Sequence, residues 1–116
     1  MIQDFRDNWI TQLRKGVLEL IVLQTLSRGR CYGYELVQRL SAVAPLQVGE
    51  GTVYPLLNRL KREGLVTSEL EESPEGPARK YYRITRSGAE ELAWMRQRWG
   101  GLVEGVRDHV EGGDHD

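Results

Sequence analysis

The sequence predicts a mainly α (α+β) fold, a winged helix-turn-helix domain followed by a C-terminal dimerisation helix. Three observations predict it. Three stretches with apolar residues at helical spacing come first, within residues 4–64. Two strand-like runs then flank the turn-forming segment "SPEGPA". A last long stretch carries a narrow apolar stripe that nothing else in 116 residues is free to cover.

The first helix is expected from about Asp4 to Ser27, with Phe5, Trp9, Leu13, Val17, Leu20, Ile21 and Val22 near helical spacing. From Val17 to Leu26 it is apolar on most sides, which implies burial against several elements. Gly29 in "SRGR" is the expected C′ residue. The second helix is expected from about Tyr34 to Val43, with Leu36, Val37 and Leu40 inward. Pro45 ends it by disfavouring helix at Ala44.

The third helix lies in "GEGTVYPLLNRLKREG", with Thr52 as the expected N-cap, Pro55 at N3 and Gly64 as C′. Val53, Leu56, Leu57 and Leu60 share one face; Gly51, Pro55, Asn58 and Arg62 share the opposite one, with Arg59 at its edge. The runs "LVTSELEE" and "RKYYRIT" then form a two-stranded hairpin. The last helix is expected from about Ser87 to Val110, opened by a capping box from Ser87 to Glu90. Its stripe is Leu92, Met95, Trp99, Leu102, Val106 and Val110, the expected dimerisation residues. The expected division is residues 1–86 for the winged helix-turn-helix domain, 87–111 for the dimerisation helix and 112–116 for a disordered tail.

Composition excludes several classes. Hydrophobic residues at 40% and charged residues at 28% suit a globular chain that buries roughly 65% of its unfolded surface. No apolar run approaches the roughly 20 residues of a membrane span. The start "MIQDFRDNW" lacks a secretory pattern, and a lone Cys31 allows no internal disulfide. A cytoplasmic location is the expectation. The net charge is −1, but its distribution is uneven. Residues 28–62 carry six basic and two acidic side chains, and residues 79–86 carry four basic and none acidic. Between them, residues 63–78 carry five acidic side chains and none basic. A basic third helix beside a basic hairpin can clamp a DNA duplex, the helix in the major groove and the wing along the backbone. On that geometry Asn58 and Arg62 face base edges or phosphates, while Glu71, Glu72 and Glu75 either face away from DNA or limit nonspecific binding.

The segments "LELIVLQTLSRGRCYGYELVQRL", "EGTVYPLLNRLKREGLV" and "RKYYRITRSGAEEL" resemble the PadR family of bacterial transcriptional regulators, over about Leu13–Leu92. With one C-terminal helix, the chain is similar to the short type. The resemblance implies a homodimer on an inverted-repeat operator in double-stranded DNA, with repression relieved by a ligand. It also implies DNA contacts at Thr52, Tyr54, Asn58, Arg59, Arg79 and Lys80. In short members that bind flat, hydrophobic drugs, a tryptophan on the last helix lines a space between protomers, and Trp99 matches it best. Trp9, Trp94 and Trp99 therefore read either as dimer packing or as the lining of a pore for a small aromatic or hydrophobic ligand. Gly100 and Gly101, each costing a helix about 1 kcal/mol relative to Ala, fit a close approach, an opening or a kink.

Other constellations are absent. The chain has no Ser-His-Asp set, no Gly-rich phosphate loop and no cofactor motif, so no enzymatic activity is expected. His109 and His115 sit in an acidic tail without cysteine partners, so no metal site is expected. Cys31 reads as a small, partly buried residue rather than a redox switch. The rival function is a winged-helix module that binds protein without sequence-specific DNA binding, which a pI of about 6.1 keeps open.

Overall fold

The first helix divides into two halves with different fates. In a computed structural model that describes residues 1–43 and 48–112, α1 spans Ile2–Ser27. Leu18, Val22, Leu23 and Leu26 recur at helical spacing and are buried, whereas Phe5, Trp9 and Leu13 are exposed. Gly29, at φ +143°, closes the helix as expected, its N–H donating to Leu26 O at 3.1 Å.

The chain then forms an element the sequence does not announce. Cys31–Tyr32 is a two-residue strand, β1, that pairs antiparallel with the hairpin. The wing is therefore a three-stranded sheet in the order β1-β3-β2, where two strands were expected. Two residues carry no readable period, so only the tertiary pairing defines them. Helix α2, Gly33–Ser41, follows at once and ends two residues before the expected Val43. Leu36, Val37 and Leu40 face the core as expected. The Ser41 hydroxyl lies 3.0 Å from Val37 O and 3.1 Å from Val48 O, joining the end of α2 to the approach to α3. The stop expected at Ala44 and Pro45 lies outside the described residues.

Helix α3, Glu50–Arg62, begins a turn earlier than expected. Gly49 is the N-cap, and its carbonyl accepts from Thr52 and Val53 N–H at 3.1 Å each. Thr52 lies inside the helix and caps nothing, and Pro55 sits at its sixth position, not the third. The lost bond from position 55 leaves the Gly51 carbonyl without its usual helical donor. The far end is as expected: Gly64 at φ +78°, its N–H to Lys61 O at 3.1 Å, and Leu65 N–H to Leu60 O at 3.0 Å.

Strands β2, Val66–Ser73, and β3, Gly76–Ile84, pair antiparallel from Val66↔Ile84 to Ser73↔Gly76. They run further into "SPEGPA" than expected. The register slips between Glu71 and Ser73, opposite Pro77, which has no N–H for the ladder. Helix α4 spans Arg86–Glu111. Its cap is Thr85 rather than Ser87: the Thr85 hydroxyl accepts from Gly88 N–H at 3.0 Å and donates to Gly64 O at 2.7 Å. Thr85 N–H also donates to Leu65 O at 3.0 Å. One residue thus ties the end of α3, the start of β2 and the start of α4. Only Gly112 of the expected tail is described.

One core joins these elements, from Leu18 on α1 through Leu57 and Leu60 on α3 to Tyr82 on β3 and Leu92 on α4. Beyond Met95 the last helix runs free of it. The radius of gyration is 17.0 Å, against about 13 Å for a compact chain of this length. The protomer is elongated because its first and last helices project past the core.

Candidate nucleic-acid interface

The amphipathic pattern of α3 fixes which side chains it offers. Val53, Leu56, Leu57 and Leu60 are buried, which leaves Thr52, Pro55, Asn58, Lys61 and Arg62 exposed on the other side. Lys61 and Arg62 have no ion-pair partner among the described residues. Arg59 differs. Its guanidinium pairs with Glu19 of α1 at 2.9 Å and Glu63 at 3.7 Å, so it also fastens α3 to α1. The hydrogen bond to Glu19 raises its pKa, so it remains a fixed cation.

Tyr54 is half-buried beside the first turn of α2. Its ring fills the space next to Gly33, where a Cβ would meet Tyr54 Cε1 at 2.4 Å. Burial, reinforced by Glu50, pushes the Tyr54 hydroxyl up, so it stays a protonated donor at neutral pH. Tyr54, Tyr32, Gly33, Ala78, Arg79 and Lys80 line a shallow cleft of about 550 Å³. That cleft joins α2, α3 and the wing, and brings Tyr54 together with Arg79 and Lys80. Sequence reasoning missed Tyr32 and Gly33, whose part depends on the unforeseen β1.

The two basic wing residues are arranged differently. Alternation along β3 puts Lys80 on the side of buried Tyr82, and Arg79 on the opposite side with Tyr81 and Arg83. Arg79 lies over the Tyr32 ring at 4.6 Å, and Tyr32 meets Tyr81 edge-on with centroids 5.7 Å apart. Arg30, just before β1, lies over Tyr81 at 4.0 Å. The same Arg30 forms a two-point ion pair with Glu71, one arm at 3.2 Å, and approaches Glu69 at 3.9 Å. Arg83 reaches Glu69 at 3.3 Å. Glu69 and Glu71 of β2 thus sit on the same outer face as Arg79, with their charge answered there by Arg30 and Arg83.

The remaining candidate residues separate into groups. Leu92 is 5% exposed and belongs to the protomer core, not to an open seam, because it lies only one turn past buried Gly88. Met95 is half-buried against the same core. The open part of the stripe is Trp99, Leu102, Val106 and Val110. Trp99, with Leu13 of α1, lines a cleft of about 450 Å³ between the first and last helices. Trp9 is exposed one turn before Leu13. Trp94 is elsewhere: five residues from Trp99 is about 140° around a helix, and its ring sits under Arg98 at 4.9 Å. Cys31 is fully buried, and burial pushes its thiol up, with Glu35 adding and Arg39 opposing. Among the described residues no group of three or more His, Cys, Asp or Glu could hold a metal. No described helix is long and apolar enough to cross a membrane.

Three helices, a basic exposed face on the third and a basic three-stranded wing define a winged helix-turn-helix protein. Solved structures agree in detail. A PadR family transcriptional regulator from Eggerthella lenta superposes with a TM-score of 0.83 at 34% identity, covering 95% of this chain and 96% of that one. A PadR-like transcriptional regulator from Bacillus cereus gives 0.77 at 42% identity, covering 84% and 94%. The transcriptional regulator Rv3488 of Mycobacterium tuberculosis is 32% identical over 104 residues, which span 90% of this chain and 92% of that protein. Residues 22–94 match the Transcriptional regulator PadR-like family. The chain belongs to that family, whose members are transcriptional regulators and not enzymes.

Proposed function

We propose that this protein is a cytoplasmic repressor that binds an inverted-repeat operator as a homodimer. The observation that carries the reading is the exposure of Asn58 and Arg62 on α3, one and two turns past Tyr54, whose cleft Arg79 and Lys80 of the wing line. Arg62 and Asn58 meet the major groove, Tyr54 donates to a phosphate, and the wing cations follow the adjacent backbone. Thr52 lies on the same exposed side of α3 and joins them. Arg59 contributes charge while anchored to Glu19. PadR-like regulators bind DNA, which supports the same reading.

Residues 1–86 form the DNA-binding unit and α4 the dimer contact. The exposed stripe of Trp99, Leu102, Val106 and Val110 supports this, and so does the exposed row of Phe5, Trp9 and Leu13 on α1. Apolar rows this extensive on a monomer mark an interaction surface. The cleft beside Trp99 takes a small aromatic or hydrophobic ligand, whose binding releases the operator. Quenching of tryptophan fluorescence by planar aromatic cations, lost in Trp99→Ala, tests that part.

The primary experiment is footprinting on the DNA upstream of the protein's own coding sequence, titrated with salt. A protected inverted repeat and a steep negative salt slope are expected. A folded dimer that binds neither this DNA nor any duplex from a random-sequence selection would replace the reading with a protein-interaction module.

A further inference from the structure

The outer face of the wing holds an arrangement that the DNA-binding reading does not by itself require. Glu71 and Arg79 stand directly opposite each other across β2 and β3. Side chains so placed have Cβ atoms about 5 Å apart, and an opposite-charge pair there is favourable. Glu71 nevertheless pairs with Arg30, which lies 41 residues away in sequence. The Arg30 fork takes both carboxylate oxygens, a stronger arrangement than a single-point contact. Its plane rests on Tyr81, Tyr81 meets Tyr32, and Tyr32 carries Arg79. Arg30, Tyr81, Tyr32 and Arg79 therefore form one interleaved row. Arg79 is ordered by an aromatic ring and has no carboxylate partner among the described residues.

We propose that Arg30 is a positioning residue for DNA binding: by holding Glu71, it keeps the Arg79 guanidinium unpaired and aligned for a phosphate. This rests on the reading of Arg79 as a phosphate contact. The carboxylate of Glu71 is not itself repelled from the site; it is engaged before it can reach its cross-strand neighbour. The hydrogen bond between them raises the pKa of Arg30 and lowers that of Glu71, so both stay charged at neutral pH. Without Arg30, Glu71 pairs with Arg79 and competes with DNA for it. The acidic block in residues 63–78 then becomes inhibitory through one residue pair.

The test uses the full chain and a labelled mixed-sequence duplex of about 30 base pairs, roughly three helical turns, at low salt. Anisotropy titrations compare wild type with Arg30→Gln, which keeps most of the stem over Tyr81 and removes the charge. Arg30→Gln should weaken binding about tenfold and reduce the salt slope by about 1, the signature of one lost phosphate contact. Adding Glu71→Gln should restore affinity to within about twofold, because Arg79 then has no competitor. In an Arg79→Ala background, Arg30→Gln should change affinity by less than about twofold. Melting curves select the folded variants, and Arg30→Lys, which retains charge but loses the fork, replaces Arg30→Gln if that variant does not fold.

Unchanged binding by Arg30→Gln would overturn the proposal. So would failure of Glu71→Gln to restore it, since Arg30 would then touch DNA or only support the wing. A full effect of Arg30→Gln without Arg79 would also overturn it, leaving only the loss of a charge. If wild type itself binds no duplex at low salt, the DNA-binding reading fails, and that outcome is separate from the other three.

Discussion

The ring of Tyr54 occupies the space that a side chain on Gly33 would need, with a Cβ at 2.4 Å from Cε1 and 2.5 Å from the hydroxyl oxygen. A glycine opening α2 thus seats an aromatic residue of α3. Gly33→Ala must either expel the ring or separate the helices. Expected is a stability loss of about 1–3 kcal/mol and weaker DNA binding. In a Tyr54→Ala background most of the loss should vanish, and a double-mutant cycle of denaturant midpoints measures it. Additive losses would mean that the two residues do not share the slot.

Gly88 faces harder surroundings. A Cβ there would stand 2.1 Å from the Leu65 carbonyl oxygen and 2.7 Å from Ile84 Cγ1. The nearest obstacle is backbone, which cannot turn aside. Gly88→Ala is expected to cost about 3 kcal/mol or to prevent folding. Thr85→Ala should cost about 1–2 kcal/mol through the lost cap, and Thr85→Ser should recover most of it. Thermal melts decide both.

The cations of α3 should not behave alike. Arg62 has no carboxylate partner among the described residues, so Arg62→Ala should reduce the salt slope of DNA binding by about 1 with little change in melting. Arg59 is held by Glu19, so Arg59→Ala should change the slope less and stability more. Equal slopes for the two variants would show that the Glu19 pair opens on binding.

The Arg30–Glu71 pair predicts a direction with pH. Hydrogen bonding to Arg30 holds the Glu71 carboxyl below its ordinary value against the opposing effect of desolvation, with the charges of Arg30 and Arg83 adding less. A depressed folded-state pKa means the stabilisation is present above the unfolded value, about 4.3, and is lost as pH falls through the folded one. The melting temperatures of wild type and Glu71→Gln should therefore differ at pH 7 and converge as pH falls below the unfolded value and through the folded one. A gap that persists in acid would assign the effect to packing.

Val106 tests assembly. It is exposed on the open stripe of α4, far from the core. Val106→Glu should leave the winged domain folded and shift the protein from dimer to monomer by light scattering. An unchanged mass would move the dimer contact to another surface.

Much of this architecture is legible in the sequence because burial leaves a period. Val53, Leu56, Leu57 and Leu60 announce α3 and its opposite face, and Gly29 and Gly64 mark two helix ends through positive φ. The helix starts are less legible. Thr52 and Ser87 are good capping residues by type, yet Gly49 and Thr85 hold the positions. Thr85 wins because Gly64 and Leu65, more than 15 residues away along the chain, supply its other bonds. The stripe on α4 has the spacing of a single seam, but Leu92 faces the protomer's own core, since no local pattern records which neighbour a face meets. The Tyr54 slot, the strand β1 and the Arg30–Glu71 pair are long-range in the same sense. Each is a meeting of residues that no spacing rule connects.

The Thr85 joint has a mechanical consequence. Helix α4 has 26 residues, which makes an arm about 39 Å long with its pivot at the cap. A tilt of about 5° at the pivot sweeps the far end through about 3 Å over that length. The far end is therefore the sensitive end of a lever and Gly64, bonded to the pivot, is the stiff end. A displacement of a few ångströms imposed near Val110 arrives at the end of α3 as a small rotation, divided down by the length of the arm.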